Sequence, residues 1–306
     1  MAATCAPLSG QGWHFQHGPM DLVLGAEGDP TAVAQAHEAA WQRFAPLLGE
    51  LVAELALLRQ PVDPGAACPL VGAVARSMWQ ACAPLVASAD GFITPMAAVA
   101  GAVAQCLIAC YRRPGITRAW VNNGGDIALH LGPDASVRVG LFADLARLDA
   151  DLALASRAGR LPVDGRFSVG HADPVRGIAT SGWRGRSFSF GIADSVTVLA
   201  ATAAQADAAA TVVANAVNLD HPAVLRRPAC DLRDDSDLGP RLVTVGVPSL
   251  HPDCVQQALE QGLNAARVLQ SLGLIASAAL VCQGRLVTLP RLTPATTRAQ
   301  ALESVE

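Results

Sequence analysis

Apolar positions along the chain change period several times, and each change marks an element. Residues 19–25 read as a short strand that follows a loose leader over 1–18. From Pro30 to Leu58 the spacing is helical. Asp29-Pro30 opens this helix as a capping carboxylate followed by a first-turn proline, and Pro46 predicts a kink or a split. Residues 60–69 hold three prolines, a glycine and no periodicity, which predicts a loop. Two more helices are expected, over 69–87 and from Thr94-Pro95 to Tyr111. Short strands follow at 119–122, 126–131 and 137–141, then an irregular surface loop over 143–166. Strand pieces are expected at 167–169, 176–182 and 186–200. In the last of these, Phe188, Phe190, Ile192, Val196 and Val198 fall at even spacing, as in a half-buried strand. A helix over 203–218, a loop over 219–240, a strand over 241–247 and a helix over 252–272 come next. A hairpin (276–282, Gln283-Gly284, 285–289) closes the fold, and the tail from 291 to 306 is expected to fray. Strands and helices do not alternate strictly, and several strand pairs are hairpins. The prediction is therefore an α+β fold, an antiparallel sheet backed by helices, in a single domain over 19–290.

Composition narrows the function classes. The chain has 306 residues, 51% of them hydrophobic, enough to bury a sizeable core. Its formal net charge of -4 gives no basic footprint for nucleic acid. All 22 basic residues are arginine, so lysine Schiff-base or general-base chemistry is excluded. The eight cysteines form no C-x-x-C pair and read neither as a zinc cluster nor as a secreted disulfide framework. Gly91–Tyr111 is uncharged over 21 residues, but Pro95, Gly101 and Gln105 interrupt it, so a buried helix is expected rather than a membrane span. The first twelve residues carry no secretory signal, and a cytoplasmic location is expected.

Three segments carry candidate chemistry. Asn122-Asn123-Gly124-Gly125-Asp126 is a turn of residues that tolerate left-handed backbone. It reads either as an ordinary hairpin turn or as a glycine turn that brings a ligand against the backbone beside Asp126. Asp207 and Thr211 lie four residues apart on one helix face. They read as a first-turn carboxylate and an ordinary threonine, or as oxygen ligands for a hard cation such as Mg²⁺. The run 177–187 crowds Thr180, Ser181, Gly182, Arg184 and Arg186 together. It reads as a polar loop or as an anion-binding segment. Asp126 and Asp194 are the candidate catalytic acids. No G-x-S-x-G elbow or G-x-G-x-x-G fingerprint is present.

Five runs in order resemble the ApbE-like superfamily and, within it, an uncharacterised bacterial and archaeal family. They are Thr94–Ala104, Asn122–Ile127, Gly177–Gly182, Gly191–Leu199 and Ala206–Val217. The best-known members of that superfamily are FAD:protein FMN transferases, which use FAD and Mg²⁺ to attach FMN to a threonine of a target protein. The resemblance implies a T-fold-like antiparallel sheet. It matches Asp207 and Thr211 to the Mg²⁺ ligands, with a third ligand from a backbone carbonyl in Met96–Gly101. It places Gly124, Gly125 and Asp126 near the flavin, FAD or FMN; Asn122 and Asn123 of the same turn, with Thr180, Ser181, Gly182, Arg184 and Arg186, are the other candidate cofactor contacts. By analogy it also implies a homo-oligomer. Two features depart from the transferases. Their His-Ile-x-Asp-Pro-x-Thr-Gly loop has no counterpart, because Ser187–Val198 reads from strand to strand. Ala100 also stands where they carry a charged residue. The expected function is thus Mg²⁺-dependent binding of a phosphorylated or flavin-like small molecule. Altered FMN transfer and a non-catalytic binding or assembly module are the alternatives.

Overall fold

A computed structural model describes residues 2–8, 12–141 and 165–291. Nine strands form one sheet in the order β1 (Thr4–Leu8), β2 (Gly12–His17), β3 (Met20–Gly28), β4 (Ile116–Asn123), β5 (Asp126–Leu131), β8 (Gly177–Ser181), β9 (Ser195–Ala200), β12 (Ser277–Cys282) and β13 (Arg285–Leu289). Every neighbouring pair in it runs antiparallel. Two-stranded ribbons complete the β structure: β6 (Ser136–Leu141) with β7 (Gly165–Gly170), and β10 (Leu225–Pro228) with β11 (Leu242–Gly246). The α+β class with an antiparallel sheet, expected from the mixed order of elements, is what the chain adopts.

The segment expected as a loose leader supplies β1 and β2. β2 pairs with β3 from Gly12↔Gly25 to His17↔Met20 and buries Phe15 completely. Helices α1 (Pro30–Phe44), α2 (Leu47–Ala53) and α3 (Leu55–Leu58) replace the single helix expected over 30–58, and the first break falls at Pro46. Asp29 caps α1 by accepting the Ala32 N–H at 2.9 Å. α4 (Ala73–Cys82) and α5 (Val99–Ile108) follow, α5 entered through a 3₁₀ turn at Pro95–Ala98. α6 (Ala203–Ala216) is capped by Thr202, and α7 (Pro252–Ser271) spans the last helix. No helix among the described residues is long and apolar enough to cross a membrane.

α5 and α6 pack on each other and on the centre of the sheet, α5 against β4 and β5, α6 against β8 and β9. Alanine and glycine dominate this contact, so the backbones approach closely. A second, smaller core of Leu129, Leu131, Val169, Val175, Ile178 and Leu199 involves the β6–β7 ribbon. The strand expected over 186–200 is confined to 195–200. Its first half is instead irregular: Asn215 Oδ1 takes the Phe190 N–H (2.9 Å) and the Ser189 hydroxyl (2.9 Å), binding the segment to α6, and the Ser189 carbonyl accepts the Thr244 N–H of β11 at 2.8 Å. The loop expected over 219–240 contains the short strand β10. The irregular stretch 143–166 lies outside the described residues except for its last two positions, which open β7, and 292–306 lie outside them too.

Candidate functional site

The β4–β5 turn, the start of α5, the second turn of α6 and the end of β8 meet at one corner. The turn is built by its own sequence. Asn122 Oδ1 accepts the Gly125 N–H at 2.8 Å, while Gly124 and Gly125 take φ of 66° and 110°. A side chain at Gly124 is also excluded by its neighbour, since a Cβ there would lie 2.1 Å from Arg186 Nη2. Asn123 is buried and donates from Nδ2 to the Ala100 carbonyl at 3.1 Å, which ties the turn to α5. Both asparagine side chains are therefore engaged by the protein's own backbone.

Asp126 opens β5 with 8% of its surface exposed, and its Oδ1 accepts the Thr180 N–H at 3.1 Å. Asp207, half-buried on α6, accepts the Gly101 N–H at 2.8 Å through Oδ2, and the Ala100 amide also faces its carboxylate. The acid thus sits at the N-terminal end of α5, where free amides and the helix dipole favour negative charge. Gly101 permits this approach. A Cβ there would lie 2.2 Å from the Ala203 carbonyl oxygen and 2.8 Å from Asp207 Cβ.

Burial pushes the Asp207 carboxyl up to about 7, against the lowering effect of the Gly101 and Ala100 amides. Asp126 is held well above the usual carboxylate range, first by burial and then by the Asp207 charge. The Thr180 amide and the Arg186 guanidinium only partly offset this. Two acids from separate elements therefore oppose each other's ionisation in a poorly hydrated corner.

Thr211 lies one turn beyond Asp207 and lines a cavity of about 230 Å³. Asn215 follows at the next turn, so Asp207, Thr211 and Asn215 make a polar stripe at i, i+4 and i+8 on α6. Arg59, Phe188 and Arg233 also face the cavity. Its polar groups are paired in part: Arg59 with Asp235 at 2.6 Å, and the Thr94 hydroxyl with Asp237 at 2.5 Å. Cys82 connects cavity and corner. Its thiol donates to the Thr94 carbonyl at 3.3 Å, and the Asp207 charge adds to burial in raising it.

Of the remaining candidates, Thr180 and Arg186 belong to this corner, whereas Asp194, Gly182 and Arg184 engage other partners. Asp194 faces the β12–β13 hairpin, accepting the Gln283 N–H at 2.5 Å and pairing with Arg184 at 3.2 Å. Gly182 is buried against the Asp194 carbonyl. Thr180 shares a hydrogen bond with the Thr197 hydroxyl at 2.9 Å, and Ser181 ends β8 opposite Val196. Arg186 stays at the corner, reaching the Pro19 carbonyl at 3.3 Å beside the glycine turn. The sequence reading missed Arg59, Asn215 and Arg233. Only Asn215 had a signal, its helical spacing from Asp207.

The family model described as AbpE bacteria matches residues 4–288. The chain belongs to the AbpE bacteria family. Beyond the family, it is 37% identical over 138 residues to the UPF0280 protein of Methanospirillum hungatei, covering 44% of this chain and 50% of that one. It is 37% identical over 133 residues to the UPF0280 protein of Methanothermobacter thermautotrophicus, covering 43% and 46%. The chain thus spans about half the length of the curated relatives it matches. Among solved structures, the AbpE family member is similar to the ApbE protein of Thermotoga maritima, with TM-score 0.49 and 10% identity over 90% of this chain and 96% of that one. It is also similar to the apo flavinyl transferase ApbE of Pseudomonas stutzeri, with TM-score 0.46 and 14% identity over 94% and 93%. Likeness at this level fixes no activity.

Proposed function

We propose that this AbpE family member binds a phosphorylated, flavin-like small molecule together with a divalent cation at the corner formed by Asp126, Asp207 and Thr211. The observation that supports this most is the pairing of two desolvated carboxylates beside a cavity whose wall carries Thr211 and two arginines. Burial pushes both acids toward the protonated form, and a bound cation would offset this.

The donor set suits Mg²⁺. Among the described residues no three His, Cys, Asp or Glu side chains converge. A cation here would therefore rest on one or two carboxylates, the Thr211 hydroxyl and oxygens of the ligand itself, which is the arrangement Mg²⁺ commonly adopts with phosphates. When bound, such a cation offsets phosphate charge. The chain's own contributions are positional. Gly101 and Ala100 orient Asp207 through their amides. Thr180 orients Asp126. Arg186 sets a positive charge beside the glycine turn. Phe188 offers an apolar wall for a planar ring.

Calorimetric titration of metal-free protein with FAD, with and without Mg²⁺, tests this reading for wild type and Asp207→Asn. Saturable binding that requires Mg²⁺ and weakens at least tenfold in the variant is expected. Absence of FAD binding in every condition overturns the flavin reading, and FAD binding indifferent to both Mg²⁺ and Asp207 overturns the site. Transfer of FMN to a threonine-containing peptide would add the transferase activity.

A further inference from the structure

A second cavity, of about 350 Å³, opens between the β1–β2 end of the sheet and α1, remote in sequence from every residue of the Asp126–Asp207 corner. Its walls follow from two periodicities. Trp13 and Phe15 alternate onto one face of β2, and Cys5 joins them because it pairs directly with Phe15. Glu38 and Trp41, three residues apart, bring α1 to the same hollow. Phe15 is fully buried beneath the hollow, its ring meeting the Trp41 ring edge-on at 5.3 Å, so it supports that indole and offers no surface of its own. Trp13 stands across from it, its ring 6.0 Å from that of His37.

Glu38 is the one Asp, Glu, Lys or Arg among the described lining residues. It is exposed, and its Oε1 accepts from Gln42 Nε2 at 2.8 Å. Two half-buried indoles beside an exposed carboxylate suit a cationic guest. Aromatic faces attract cations through their quadrupole, most strongly where an organic ammonium is too bulky to keep its water. A neutral apolar guest would gain the same contact area but nothing from Glu38. The volume lies within the range of small-molecule pockets.

We propose that this hollow is a binding site for an alkylated organic ammonium ion, with Trp13 and Trp41 as its aromatic walls and Glu38 as its counter-charge. The site is separate from the proposed flavin site and does not depend on it.

The test is titration of the full-length protein with choline, followed by tryptophan fluorescence and calorimetry. 3,3-Dimethyl-1-butanol, the uncharged isostere of choline, is the control. Saturable choline binding at least tenfold tighter than that of the isostere is expected, weakened severalfold by Glu38→Gln and abolished by Trp13→Leu. Glu38 is exposed, so its variant keeps the fold and remains informative if Trp13→Leu is unstable. Equal affinity for choline and its isostere, no saturable choline binding, or choline binding unchanged in Glu38→Gln would each overturn the proposal. Addition of FAD and Mg²⁺ is expected to leave choline affinity unchanged.

Discussion

Asp207 and Asp194 both follow strand-to-helix or strand-opening sequence, and both are partly buried, yet the fold treats them differently. Asp194 is given an arginine and a backbone amide, so its charge is neutralised within the protein. Asp207 is given two amides at a helix start and a second carboxylate nearby. Amides stabilise an anion but do not cancel it, and Asp126 works against it. Burial alone therefore does not mark a functional acid. What separates these two is the partner the protein supplies: an arginine for Asp194 and, among the described residues, backbone amides for Asp207.

That contrast can be broken most strongly by pH. The Asp207 carboxyl is raised to about 7 in the folded, metal-free protein, while an unfolded chain titrates it near 3.9. A raised carboxyl means that the folded state holds the proton more tightly. Its contribution to stability is complete below about pH 4 and is lost as pH climbs through about 7. The loss is on the order of 3–4 kcal/mol. Denaturant unfolding of metal-free protein between pH 4 and 8 should show this decline, and Asp207→Asn should lessen it, leaving the part that buried Asp126 contributes. Restoration of stability at pH 8 by Mg²⁺ in wild type alone would sharpen the comparison.

The next effect concerns close approach. Gly101→Ala sets a methyl 2.2 Å from a backbone oxygen that cannot swing away, so α5 and α6 must part. A cost of about 3 kcal/mol, read from the urea midpoint, is expected. A midpoint unchanged from wild type would show that the Asp207–Gly101 contact is not tightly held. A smaller effect is expected at the other acid. Asp194→Ala leaves the Gln283 amide without its acceptor and Arg184 without this carboxylate, costing about 2 kcal/mol by the same measurement. Mg²⁺-dependent ligand affinity should remain within twofold of wild type. A large loss of affinity would return Asp194 to the site.

How much of this was legible varies with range. The Asn-Asn-Gly-Gly turn, the capped start of α1, the break at Pro46 and the shared face of Asp207 and Thr211 are local, and local chemistry reads from sequence. β1 and β2 were not legible. Every residue of β1 is exposed, so no alternation betrays it, and it exists through pairing with β2. The even spacing of Phe188 and Phe190 suggested a strand, but Asn215 on α6 competes for the Phe190 amide and wins. The cavity beside Thr211 draws Arg59, Phe188 and Arg233 from three distant segments, a convergence that only the tertiary fold creates.

The most direct measurement is an anomalous difference map from crystals grown with Mn²⁺ and FAD. A metal peak is expected within coordination distance of the Asp207 carboxylate and the Thr211 hydroxyl, with the phosphates of the nucleotide beside it. Ordered FAD with no metal at that corner, or a metal peak elsewhere with Asp207 still held only by the Gly101 amide, would contradict it.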